Sequence, residues 1–346
     1  WGAYLRNEGL LVFIAYYLLF LNVKSFSEEQ IIKVLDSLFI MGLIQFIYSI
    51  LQVFVRGKYI LGFKGGPLYM ASGFIGNPNM LGSFCVLVLM LSLMMYFVYD
   101  KKKYLIFSIM FYINLILAQS TGPFFAFVVS FFGTIFILNT KKIINWKKVL
   151  LLFFSFILIF ILVSFTVEKY CKYVLEEEVY PGSLIKHDII NTFSLLSLED
   201  SDENKGDVGN IITKEDAIMY YGSGRLDIWR NSIKIIPKYW LTGAGIDNFG
   251  YVYPAKLYGG YVDKAHNEYL QILITEGVFT LITYLLFLLN LFIYGIKSKE
   301  KISLVLLIGI LGYALQAFMN ISVTRVAPFY FIVCGMLASI TIAKKG

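Results

Sequence analysis

The 346-residue sequence is poor in charge: 15% of its residues are Asp, Glu, Lys or Arg, against about a quarter in soluble domains. A chain so short of charge cannot clothe a soluble globule of this length, which excludes an ordinary soluble enzyme. Histidine is scarce, with two residues, His187 and His266. No Walker A sequence, zinc-ligand spacing or paired metal-binding carboxylate motif is visible, so no motif points to nucleotide or metal chemistry. The cysteines Cys85, Cys171 and Cys334 are odd in number and far apart. They form no disulfide framework, and Cys85 and Cys334, inside apolar runs, are expected to pack.

What abounds is apolar: 58% of residues are hydrophobic and 17% aromatic, with a mean hydropathy of +0.71. Several runs reach the roughly 20 residues that cross a bilayer. The chain therefore reads as an all-α polytopic membrane protein with about nine transmembrane helices. The expected spans are 9–23, 31–55, 79–99, 104–119, 122–138, 148–167, 267–295, 302–319 and 326–343. The net charge of +7 does not indicate nucleic acid, because the lysines cluster between apolar runs. Lys101–Lys103, then Lys141, Lys142, Lys147 and Lys148, then Lys297, Lys299 and Lys301, and finally Lys344 and Lys345 fall in alternate connections. Positive charge stays inside, so these connections are cytoplasmic. The segment 168–266, residues 56–78 and the 119–122 and 320–325 turns are then outside. The organisation expected is 1–167, N-terminal membrane helices; 168–266, an extracytoplasmic loop domain; and 267–346, C-terminal membrane helices. A first residue Trp1 in place of Met, an external start and an odd helix count fit a chain that has lost upstream helices.

The external segment divides in two. Glu176–Glu178 and SLEDSDENKGD at 197–207 make its first half acidic, as in a solvated surface insertion. In the second half Thr213 is placed to cap a helix over KEDAIMYY. Gly222 and Gly224 break that helix, and another runs from Arg225 to Ile236, stopping at Pro237. Its Leu226, Trp229, Ile233 and Ile236 share an apolar face, expected to rest on the membrane or the bundle. Arg225 and Arg230 lie five apart, about 140° around that helix. Arg225 is in the first turn, where a guanidinium and backbone N–H groups together suit a phosphate; snorkelling to lipid headgroups is the alternative, and the better one for Arg230. His266, in DKAHNEY at the outer boundary, is placed to act as a base near neutral pH or to serve structure only. Within the spans, Gln45, Ser49 and Gln52 share one helix face, as do Gln316 and Asn320, and interhelical hydrogen bonding accounts for them. Glu276 is expected about 15 Å below His266 on one continuous helix, a depth that demands a partner or a function. GAGIDN at 243–248 has part of a dinucleotide fingerprint but follows no strand; its glycines suit a tight turn.

GRLDIWRNSIKIIPKYWLTGAGIDNF and AHNEYLQILITEG resemble the signature region of the O-antigen ligase and O-antigen polymerase superfamily. The matching positions are Arg225 with Trp229, Gly243 and Gly245 with Phe249, His266 with Asn267, and Glu276 with Gly277. GFIGNPNMLGSF at 73–84 resembles an earlier block of the family. The resemblance implies a GT-C-like membrane glycosyltransferase, metal-independent and without cofactor, at the outer face of the bacterial plasma membrane. It implies inverting transfer from an undecaprenyl-diphosphate-linked glycan, for polysaccharide ligation or polymerisation. It also implies roles: Arg225 and Arg230 for the diphosphate, His266 for the acceptor, Asn267 and Glu276 in support, and Asn77 and Asn79 lining the site. The chain departs from the family in AQSTGPFFAF, where Thr121 stands at a place commonly held by arginine. Either another external cation serves, from among Arg56, Lys58, Lys64, Lys264 and Arg325, or the donor is held differently. A transporter or flippase of lipid-linked saccharides and a non-catalytic envelope component are the rival readings. A midplane cavity open alternately to both sides would mark the transporter.

Overall fold

Asn77 and Pro78 begin the helix on which the bundle is built. The Asn77 side chain accepts from Met80 N, and Pro78 fills the first helical position, where a missing N–H costs nothing. In the computed structural model, which describes residues 8–54, 70–174, 224–253 and 262–342, this helix is α3 (Pro78–Tyr99). Before it come α1 (Leu10–Val23) and α2 (Glu28–Phe54); after it α4 (Lys102–Leu117), α5 (Thr121–Thr140) and α6 (Trp146–Val174). Then follow α7 (Arg225–Tyr239), α8 (Phe249–Val252), α9 (Glu268–Glu276), α10 (Val278–Lys297), α11 (Lys301–Gln316) and α12 (Ala327–Ile342). The acidic run at 176–207, His187, the Thr213-capped segment, Arg56, Lys58 and Lys64 lie outside the described residues.

α3 is buried along nearly its whole length, against α4, α5 and α11. Glycines permit this closeness. A Cβ at Gly309 would stand 2.5 Å from Leu91 Cδ2, one at Gly312 2.9 Å from Met90 Cγ, and one at Gly82 2.7 Å from Pro123 Cγ. Small residues bring helices together where no hydrophobic drive operates between them and lipid. Cys85 and Cys334 are buried in this core, as their apolar surroundings imply. α1, α6 and α10 turn apolar side chains such as Leu151, Phe154, Phe165, Phe279 and Leu289 outward. Five described helices are long and apolar enough to cross a membrane: α2, α3, α5, α6 over Trp146–Tyr170, and α10; α1, α11 and α12 are apolar but shorter.

The lysine-bearing turns gather at one end of the bundle. Lys148 pairs with Asp100, Lys141 donates to the Ile296 carbonyl, and Lys103 pairs with Asp36 at 2.7 Å. The polar segments 70–79, 119–122 and 317–325 meet at the other end, beneath a small second core formed by Ile228, Phe249, Ala265 and Ile274.

Two expectations are corrected. α7 runs through Pro237 and ends two residues beyond it, at Tyr239. Of its apolar side chains, Trp229 and Ile236 pack on the second core and Leu226 and Ile233 are exposed, which does not overturn the expected seat on membrane or bundle. The larger correction concerns 267–295. Tyr269 and Tyr284 would be about 22 Å apart along a single straight helix, yet their ring centroids are 6.1 Å apart. The chain turns sharply at Gly277 (φ 86°, ψ 172°), so α9 folds back along α10. Glu276 therefore ends α9 at the bend, about 14 Å along that helix from Asn267, and does not lie inside a helix that continues to residue 295.

Candidate active site

The polar end of the bundle is organised around Asn79. Its position follows from the 72–77 turn, which α2 holds from below. Gln52 Oε1 accepts from Ser72 N (3.1 Å) and Gly73 N (2.8 Å), and Gln45 Oε1 accepts from Phe74 N (3.0 Å). Ser49 Oγ bonds back to the Gln45 carbonyl. These three intramembrane polar residues are scaffold. Asn77 is engaged as the cap of α3, at 3.2 Å from Met80 N. Asn79 Oδ1 accepts from Ser120 Oγ (2.5 Å) and from Arg225 Nη2 (3.3 Å), and its carbonyl accepts from Asn320 Nδ2 (3.2 Å). Asn320 also donates to Ser83 Oγ at 3.0 Å. Gln316 is the last residue of α11 and Asn320 lies beyond it, so the two do not share a helix face, contrary to expectation; Gln316 is buried with no hydrogen-bond partner on its side-chain amide among the described residues.

Arg225 opens α7 behind Gly224, whose φ of +74° is a conformation glycine adopts without strain. Its guanidinium lies over Gly122: a Cβ there would meet Arg225 Nη1 at 3.1 Å and Met319 Cβ at 2.8 Å. One turn along α7, Trp229 Nε1 donates to the Ala265 carbonyl at 3.0 Å, and the next residue is His266. Glu268 N donates to the Ala317 carbonyl at 2.9 Å. Arg225 and the 265–268 segment thus flank the same end of α11. Arg230 is exposed on α7 and, five residues on from Arg225, projects from a different side of the helix.

His266 adopts φ +50°, a left-handed conformation that costs a non-glycine residue about 1 kcal/mol or more and persists only where neighbours impose it. Those neighbours are Trp229 and Gln271 on the residue before it and Asn267 after it. Ala265 N donates to Gln271 Oε1 at 2.8 Å, and Asn267 Oδ1 caps α9 by accepting from Leu270 N at 3.0 Å. The Asn267 side chain is therefore spent on the helix, and it serves the site through the placement of His266.

The two glycine blocks meet backbone to backbone. Ala244 N and Gly245 N donate to the Ile274 and Thr275 carbonyls (2.8 and 2.9 Å), closing the orphaned end of α9. A Cβ on Gly243 would stand 2.3 Å from Thr275 O. GAGIDN is thus a tight turn that clamps the α9–α10 bend. Beside it a cluster unseen in the sequence joins distant parts of the chain. Lys264 Nζ lies 2.8 Å from both Glu8 Oε2 and Asp247 Oδ1, all three side chains being buried. Burial opposes the ammonium charge, but the two carboxylates outweigh it and raise the Lys264 pKa. Lys264 is thereby consumed and does not stand in for the arginine missing at Thr121. Desolvation pushes the Glu268 and Glu276 carboxyls up to about 7, against the opposing pull of Lys264 and, for Glu268, of the Ser322 N–H at 2.7 Å.

The chain is thus a multi-pass helical membrane protein with an arginine, a strained histidine and amide side chains gathered at one end of its bundle. The O-Antigen ligase family model matches residues 105–285, just over half of the sequence, and the chain belongs to that family of membrane glycan ligases and polymerases. No curated protein matches it by sequence. Asn79 and Asn320 lie beyond the matched residues, so their contacts with Arg225 and with each other rest on the structure.

Proposed function

We propose that the protein transfers glycan from an undecaprenyl-diphosphate carrier to an acceptor hydroxyl at the outer face of the plasma membrane, without a metal, as a surface-polysaccharide polymerase or ligase. Nine spans remain the best account of the chain, with α10 alone as the seventh and 168–266 as the external loop domain. The observation that carries the reading is the tie from Arg225 through Trp229 to the His266 segment, at the bundle end away from the lysine turns. His266 takes the acceptor proton as the hydroxyl oxygen attacks the anomeric carbon. The bond from that carbon to the diphosphate breaks, and its electron pair leaves on phosphate oxygen, where Arg225 neutralises the developing charge. Glu276 supports the His266 segment from the bend, and Arg230 meets the donor nearer the membrane surface. An apolar groove of about 190 Å³, lined by Phe124, Phe127, Phe131, Phe156 and Phe160, begins within one turn of Gly122 and suits a polyprenyl tail.

The test is glycan transfer by purified protein with an undecaprenyl-diphosphate oligosaccharide and EDTA present, comparing wild type with Arg225→Ala and His266→Ala. Lengthened lipid-linked glycan, or transfer to an added acceptor, is expected of wild type and lost in both variants. Full activity in His266→Ala at normal membrane insertion would remove its assigned role.

A further inference from the structure

Two arginines at the polar end of the bundle are seated in the same way. Arg225 lies over Gly122, and Arg325, exposed in the α11–α12 turn, lies over Gly76, where an added Cβ would stand 3.1 Å from Arg325 Nη1. Arg325 Nη1 donates to the Ile75 carbonyl at 2.5 Å, and Gly76 holds φ +78°. The two guanidinium groups are therefore fixed to the two ends of one short segment, Arg325 at Ile75 and Arg225 at Asn79. Four residues limit the separation of those ends to about 15 Å, and the helical turn that begins at Pro78 shortens it. The turn carrying Arg325 is itself anchored. Ser322 N donates to Glu268 Oε2 at 2.7 Å and Thr324 N to Glu8 Oε1 at 3.3 Å. The first of these ties it to the segment that carries His266. Among the described residues Arg325 forms no ion pair with a carboxylate, whereas Lys264 is held by two.

We infer that Arg325 is the second cation of the donor site and binds the phosphate of the diphosphate that Arg225 does not reach. The inference rests on the diphosphate-donor reading above. A diphosphate offers two anionic centres one bridging oxygen apart, and a planar guanidinium matches each as a fork. Thr121 then need not be arginine, because the second charge arrives from another turn of the chain. Sequence spacing could not reveal this, since residues 75 and 325 meet only through folding.

The experiment uses the full chain in zwitterionic nanodiscs, titrated with undecaprenyl diphosphate and separately with undecaprenyl monophosphate. Arg325→Gln is expected to weaken diphosphate binding about 10- to 100-fold and to leave monophosphate binding within about twofold. Unchanged diphosphate affinity, or equal weakening for both lipids, overturns the role of Arg325 and leaves the donor reading standing. Failure of wild type to bind either lipid overturns the donor reading and this inference with it. Should Arg325→Gln not insert, Arg325→Lys keeps a donor for Ile75 but loses the fork. The diphosphate-to-monophosphate affinity ratio then falls severalfold, and an unchanged ratio refutes the assignment.

Discussion

Replacing Gly277 by alanine distinguishes a bent α9–α10 pair from one continuous helix by the sign of the effect. In a continuous helix, Gly→Ala is a gain of about 1 kcal/mol, since alanine loses less backbone entropy and has the better helix propensity. At the observed bend, φ 86° and ψ 172° form a conformation reserved to glycine and cost any other residue about 1–3 kcal/mol. The new Cβ would also stand 2.3 Å from the Leu241 carbonyl oxygen, and backbone cannot rotate aside as a side chain can. Relieving the clash pulls at the neighbouring Val278 N to Trp240 O hydrogen bond, 2.7 Å long and worth about 1 kcal/mol. The sum is a loss of about 2–4 kcal/mol, large for one methyl group. Gly133 supplies the control: it lies within α5 with nothing inside 4 Å of an added Cβ, so Gly133→Ala is neutral or gains up to about 1 kcal/mol. Unfolding of wild type and both variants in nanodiscs measures the difference. A short bifunctional reagent joining Tyr269→Cys to Tyr284→Cys reports whether the bend survives. Should Gly277→Ala stabilise the protein as Gly133→Ala does, with the cross-link intact, the argument from the bend is wrong.

Two further outcomes follow from the buried charges. The Glu276 carboxyl binds its proton more tightly in the folded protein than the ordinary value of 4.5 and titrates near 7, so the folded state holds more protons between those values. Its contribution is present below about pH 4.5 and is lost as pH rises through 7, a fall of about 3 kcal/mol. Glu276→Gln should flatten the decline in unfolding free energy between pH 5 and pH 8, leaving the share due to Glu268; an undiminished slope means that Glu276 does not titrate there. Lys264→Met leaves Glu8 and Asp247 as buried carboxylates without their cation and should cost about 3–5 kcal/mol, read as a lowered unfolding midpoint. A cost below about 1 kcal/mol would show that water reaches the cluster.

Hydropathy and charge placement were enough to make this chain a membrane-embedded helical bundle. Both report on local surroundings: an apolar run of bilayer length and a lysine-rich turn carry their meaning wherever they fall. The Arg225–Trp229 and His266–Asn267 blocks were legible as motifs for the same reason, being short and local. Direction was not legible. The run 267–295 has the composition of one span, and hydropathy cannot tell a helix that continues through Gly277 from one that doubles back, since a single φ of +86° decides it. Nor could spacing show that Asn79 accepts from Arg225 across 146 positions, or that residues 8, 247 and 264 share one buried charge cluster. The Asn79 contacts exist because glycines let α3, α5 and α11 approach closely enough for their ends to meet, and only the packed structure decides which ends those are.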